Sequence, residues 1–302
     1  MVTSRFGKFS RRTQGFLLTL LGVLFISPDA LLVKITNADG MVVLFWRGIL
    51  LALALSAISL LRYGRTLPAQ YRLCGWQGWF CATAFAFTTL GFVMGMKHMA
   101  AGNVLVILNT SPVIAAVIAR VVWGERLPLR TWLVILVCVA GAILIAWSEL
   151  GRSEPLGLAM ALLAATAFAA NLNVARSRPD ADISVMLGFG AFIVAGFAAL
   201  FGGARMLAWP DLGYMLLLGL VFLPVASTLI QIGPRYLPAA EVSLMLLLET
   251  LLGSFLVWLL LSEIPPDLSF VGGGLILTAL VFNACYEVNL NRRRRRLNLM
   301  PY

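Results

Sequence analysis

The chain has 302 residues, 61% of them hydrophobic and 12% charged, with a mean hydropathy of +0.93. An ordinary soluble domain is about 45–50% apolar and about 25% charged. A water-soluble fold of this composition would expose apolar surface and aggregate, which excludes a soluble enzyme, a disordered chain and a nucleic-acid-binding module. The excess of Lys+Arg over Asp+Glu, 23 against 13, then reads as the positive bias of cytoplasmic membrane loops.

A spanning helix needs about 20 mostly apolar residues. Ten segments qualify: 15–36, 41–62, 74–96, 100–122, 130–148, 156–176, 183–203, 210–231, 239–261 and 268–290. Arg5, Lys8, Arg11 and Arg12 ahead of the first segment imitate a signal peptide. Ser27-Pro28-Asp29-Ala30 nevertheless offers no small-x-small cleavage site and the apolar pattern resumes, so this segment reads as a membrane helix. Asn37-Ala38-Asp39-Gly40, Leu127-Pro128, Glu154-Pro155, Arg178-Pro179-Asp180, Trp209-Pro210-Asp211 and Pro265-Pro266-Asp267 separate the segments with turn signals. Strand alternation is lacking, so the expected class is an all-α membrane protein rather than a barrel.

With a cytoplasmic N-terminus, the tails and the connections after segments 2, 4, 6 and 8 hold 18 of the 23 basic residues. The other side holds Lys34, Lys97, Arg152 and Arg205, and Arg47 lies within a span. This asymmetry predicts that both termini are cytoplasmic. A shift of 138 residues places Lys97 on Arg235, Gly95 on Gly233, Ser111-Pro112 on Glu249-Thr250 and Glu125 on Glu263. Five helices per half then predict two inverted repeats around a central cavity. The divisions are a cytoplasmic tail 1–14, a first repeat 15–148, a connector 149–155, a second repeat 156–290 and a basic cytoplasmic tail 291–302.

Trp123-Gly124-Glu125-Arg126-Leu127-Pro128 and Ser262-Glu263-Ile264-Pro265-Pro266 resemble the "GE" ends of EamA repeats, and Phe45-Trp46-Arg47 resembles the aromatic-Arg pair that opens the second helix of that family. The chain is thereby similar to the drug/metabolite transporter superfamily, most of all its aromatic amino-acid exporter branch. The resemblance implies that helices 1, 3, 4, 6, 8 and 9 surround a cavity while helices 5 and 10 lie at the periphery. It departs from the pattern at Ser262, where Gly is usual, and at Thr250, where Pro often follows the acid.

An ionisable residue inside a span is costly and is a functional candidate by default. Glu249, near the middle of helix 9, would meet a substrate ammonium or carry a proton; the alternative is an acid held neutral between helices. Asp29 and Arg47 fall at similar depth on adjacent antiparallel helices and are expected to form a structural ion pair. Asn109 and Ser111, with Thr88, Asn171 and Gln231, supply polar groups for a substrate, or interhelical hydrogen bonds. Trp79 would stack on an aromatic substrate or pack, and His98 with Lys97 would line a mouth or snorkel to the interface. Gly91-x-x-x-Gly95 permits close helix approach. The four cysteines read as buried small hydrophobes, since none forms a C-x-x-C or C-x-x-H arrangement. No metal or cofactor is expected.

No G-x-x-x-x-G-K-[ST] loop occurs, so ATP does not drive the protein directly. The leading expectation is a secondary transporter of the bacterial inner membrane, monomeric or a weak homodimer, not an enzyme, that exports amino acids and related metabolites by alternating access. Its alternatives are a multidrug or lipophilic-cation exporter of the same fold, an intramembrane enzyme and a channel.

Overall fold

The computed structural model describes residues 11–124, 129–149, 155–176, 181–232, 239–262 and 267–298. About 90% of it is helical, and no strand occurs among the described residues. Helices α1 (Arg11–Ile26) and α2 (Asp29–Ile35) form one apolar segment interrupted at Ser27-Pro28. Pro28 has no amide hydrogen for the Leu24 carbonyl, and the Ser27 hydroxyl donates back to the Val23 carbonyl at 2.7 Å.

Helix α3 (Gly40–Tyr63) starts at Asp39, whose carboxylate accepts from the Met41 amide at 2.8 Å. A short 3-10 turn, Gly64–Thr66, leads into α4 (Leu67–His98). The first part of α4 is helical where the sequence predicts only a polar connection. Pro68 in its opening turn favours a helix start, and Gly75, at φ 56° and ψ −153°, redirects the chain into the long apolar part.

Helices α5 (Ala101–Leu108) and α6 (Ser111–Trp123) are separated at Asn109-Thr110, just before Pro112. Then follow α7 (Leu129–Glu149), α8 (Pro155–Arg176), a 3-10 turn at Ile183–Met186 and α9 (Leu187–Leu200). Helices α10 (Trp209–Leu217) and α11 (Leu223–Ile232) are joined by a π-helical turn at Leu218–Phe222, ahead of Pro224. The last two are α12 (Ala239–Leu261) and α13 (Asp267–Asn298). Three segments expected as single helices are therefore interrupted, each next to a proline.

Among the described residues, six stretches are long and apolar enough to cross a membrane: Gln14–Ile35, Gly40–His98, Ala101–Val122, Pro155–Ala175, Ile183–Leu200 and Trp209–Ile230. Trp132–Gly141, Leu248–Leu261 and Phe270–Ala279 are shorter apolar helices. Leu44, Leu51, Met96, Ile107, Met215 and Leu218 are almost wholly enclosed in one core.

Small residues set the closest helix contacts. A Cβ placed on Gly91 of α4 would stand 2.4 Å from the Met160 carbonyl oxygen of α8, so no larger side chain fits without a backbone shift. Gly95 continues the same contact towards Ala161; the Gly91-x-x-x-Gly95 motif thus packs within the molecule. A Cβ on Gly22 of α1 would lie 3.1 Å from Leu229 Cβ and 2.9 Å from Ile230 Cγ1 of α11.

Polar contacts gather the helix ends into two groups. In one, Lys97 Nζ donates to the Thr36 carbonyl at 2.5 Å, the Asn37 amide donates to Asp211 Oδ1 at 3.3 Å, and Trp46 Nε1 donates to the Arg205 carbonyl at 2.8 Å. In the other, Asp182 receives the Tyr63 hydroxyl at 2.5 Å, the Arg62 guanidinium at 3.0 Å and the Ser184 hydroxyl at 2.6 Å.

Candidate functional site

The interruption at Ser27-Pro28 lets Asp29 open α2 with its carboxylate in the protein interior, 3% exposed. Arg47 of α3, 6% exposed, reaches it end-on: Nη1 donates to Oδ1, and Nη2 donates to Oδ2 at 2.8 Å. The Arg47 guanidinium also sits 5.3 Å from the centre of the Phe92 ring of α4, a cation–π contact. Its Nε is buried and has no hydrogen-bond partner among the described residues.

Helix α12 packs against α1, α2 and α5. Gly253 permits this: a Cβ there would stand 3.5 Å from the Ser27 carbonyl oxygen and 3.0 Å from Leu105 Cδ1. One turn earlier on α12, Thr250 accepts a hydrogen bond from Asn109 Nδ2 at the interruption between α5 and α6. Glu249 beside it is half-buried and lies within electrostatic reach of both Asp29 and Arg47. No hydrogen bond or ion pair occupies its carboxylate among the described residues. Two helix interruptions and the middle of α12 thus converge on one acid–base pair and one further acid.

Several candidate residues are committed elsewhere. Asn171 is 4% exposed; its Nδ2 donates to the Cys81 carbonyl at 2.9 Å and thereby ties α8 to α4. Thr88 donates to the Ala84 carbonyl of its own helix at 2.8 Å. Trp79 is 55% exposed and packs at 5.2 Å from Phe189, on the periphery of α4. The His98 ring hydrogen-bonds through Nδ1 with the Met94 carbonyl at 2.8 Å, at the end of α4. Ser111 is 3% exposed at the start of α6. The Gln231 side chain lies outside the described part of the chain, as do Glu125 and Glu263.

Sequence reasoning missed two participants, Thr250 and Asn173, and gave a third, Phe92, a different role. Thr250 was noted only as a departure from a pattern, although its hydroxyl beside an intramembrane acid marked it as a partner. Phe92, an aromatic that the sequence offers for stacking on a substrate or for packing, lies instead against the Arg47 guanidinium. Asn173 donates to the Ala115 carbonyl at 3.0 Å and the Ala169 carbonyl at 3.1 Å, joining α8 to α6; an asparagine two positions after Asn171 was its only sign. Among the described residues no group of His, Cys, Asp and Glu is placed to hold a metal ion.

The arrangement is suited to binding polar or charged groups inside an apolar bundle. Residues 13–147 match the model of the EamA-like transporter family. A solved structure described as "Crystal structure of protein" superposes with a TM-score of 0.63 at 18% identity, over 93% of this chain and 99% of that one. At that identity the likeness shows a shared fold. No curated protein matches the chain.

Proposed function

We propose that the protein is a secondary transporter of the bacterial inner membrane that moves amino acids, above all hydrophobic and aromatic ones, out of the cytoplasm by alternating access. The observation that carries the reading is Glu249, an acid in an apolar helix with no described partner, next to the Asp29–Arg47 pair and two interrupted helices. Interrupted helices expose backbone that is tolerated at membrane depth where it is enclosed by protein or lines a water-filled space. The EamA match over residues 13–147 supports a transporter of small molecules.

In this reading the chain crosses the membrane ten times as two inverted five-helix repeats, with both termini cytoplasmic. Packing supports it: the shift of 138 residues carries Gly22 onto Met160 and Gly91 onto Leu229, so the α1–α11 contact and the α8–α4 contact exchange. The helix-end groups add to it, since residues 36–37, 97, 205 and 211 meet at one end, while residues 62–63 and 182–184 meet apart from them. Asn109 and Ser111 face the Glu249 wall as partners for the substrate, with Asn109 held by Thr250 until a ligand competes for it.

Counterflow in proteoliposomes, with a panel of amino acids and lipophilic cations and with and without a pH gradient, tests the assignment. Saturable exchange of an amino acid is the expected result. Exchange of lipophilic cations alone would favour a multidrug exporter, for which the Glu249 carboxylate, without a partner among the described residues, is equally suitable. Unsaturable flux would indicate a channel, and covalent change of the substrate an enzyme.

A further inference from the structure

The guanidinium of Arg47 carries five N–H donors in a planar fork, and Asp29 occupies only its outer edge, through Nη1 and Nη2. The side edge, which includes Nε–H, is buried and has no hydrogen-bond partner among the described residues. A buried donor left unmet is costly, and the interior of a membrane protein offers little water to meet it. The fork is also held in place: Asp29 fixes one edge and the Phe92 ring lies 5.3 Å from the guanidinium carbon. A preorganised, charged donor edge matches a carboxylate, which accepts side-on through two oxygens.

We infer that the side edge of Arg47 is the receptor for the carboxylate of the transported molecule, with Asp29 as its positioning residue and Glu249 as the receptor for the ammonium. The inference rests on the amino-acid reading above and adds a specificity residue to it. In an α-amino acid the two charged groups are separated by a single carbon, so their receptors must be neighbours. Glu249 and Arg47 meet at the Ser27-Pro28 break: α12 packs on Ser27 at Gly253, about one turn from Glu249, and Arg47 is bonded to Asp29 beside that break. Asn109, by contrast, offers a neutral amide, one N–H of which is given to Thr250. The site therefore selects zwitterions over amines and over acids of the same side chain.

The test is competition against counterflow of labelled L-phenylalanine in proteoliposomes, with unlabelled L-phenylalanine, 2-phenylethylamine and 3-phenylpropionate. The wild type should prefer the amino acid to either single-charge analogue by about tenfold to a hundredfold, the weight of one charge-assisted hydrogen bond. Arg47→Lys keeps a cation for Asp29 but removes the side edge. It should lose that preference through weaker binding of phenylalanine, while inhibition by 2-phenylethylamine stays at the wild-type level. Asp29→Asn/Arg47→Gln, which leaves no buried charge unpaired, should show the same loss and serves if Arg47→Lys does not fold. A folded variant of either kind that keeps the wild-type preference overturns the assignment while the transport reading stands. A wild type that exchanges the amine but not the amino acid overturns it in favour of cation transport. A wild type that exchanges neither phenylalanine nor any other amino acid overturns the transport reading itself.

Discussion

Gly91 of α4 and Met160 of α8 approach until backbone meets backbone: a methyl group on Gly91 would stand 2.4 Å from the Met160 carbonyl oxygen. The contact partner is main chain, which cannot rotate away as a flexible side chain does. Overpacking of this kind costs about 1–3 kcal/mol. Gly91→Ala should therefore lower the melting temperature in detergent clearly, whereas Gly196→Ala, with open space around it, should leave it unchanged. Equal melting temperatures would mean that α4 and α8 are not in contact at this point.

The Asp29–Arg47 pair sits almost wholly out of solvent. Removing one partner of such a pair leaves an uncompensated buried charge and costs about 3–5 kcal/mol. Arg47→Ala should cut the yield of folded protein, and Asp29→Asn/Arg47→Gln should recover part of it. Size-exclusion profiles of the solubilised variants measure this directly; no recovery in the double variant would show that the two charges act separately.

Glu249 carries no described hydrogen bond, so its removal should leave the fold unaffected. Glu249→Gln is expected to reduce amino-acid counterflow by about tenfold to a hundredfold, the loss of one charge-assisted contact, with expression and melting temperature close to wild type. Full flux from this variant would move the substrate away from α12.

Asp182 joins the end of α3 to the start of α9 through Tyr63, Arg62 and Ser184. Arg62 is 39% exposed in its side chain, and exposed ion pairs contribute about 0–1 kcal/mol. The Tyr63 hydroxyl donates to a largely buried carboxylate, which places its contribution at about 1.5–3 kcal/mol. Tyr63→Phe should accordingly destabilise the protein more than Arg62→Gln in thermal unfolding. The reverse order would make the ion pair the dominant tie.

Reporter fusions test the proposed sidedness. Fusions after residues 67, 128, 180 and 302 should read cytoplasmic, and those after 38, 152 and 266 external. One inverted reading in the middle of the series would break the repeat arrangement.

How far the sequence could be read depended on whether a feature is local. Helix α12 coincides with its expected range 239–261 because continuous apolar composition defines it. The first and fourth segments read as single helices, although the missing amides of Pro28 and Pro112, each a property of one residue, mark where they break. The π-helical turn before Pro224 was not legible, because a proline does not specify how the preceding turn absorbs it. The depth match of Asp29 and Arg47 was visible from counting along two helices. That Asn171 turns to Cys81 and Asn109 to Thr250 was not, because hydrogen-bond partners on distant helices follow from helix rotation. Asp182 was overlooked for a similar reason: beside a turn it reads as an ordinary cap, and its contacts with α3 come from tertiary packing.

Helix α13 runs unbroken for 32 residues, from Asp267 to Asn298. At about 1.5 Å per residue it is about 48 Å long, against a hydrocarbon thickness of about 30 Å. Hiding it entirely would need a tilt of about 50°, beyond the roughly 0–40° that membrane helices adopt. If α13 is a span, as proposed, part of it must stand clear of the hydrocarbon, and its last two turns carry the five arginines 292–296. These charges then ride on a stiff lever rather than a slack tether. In the proposed arrangement a 10° rocking of α13 within the bilayer would sweep its last 18 Å or so sideways by about 3 Å, and so would carry a rearrangement in the bundle to the plane of the lipid phosphates.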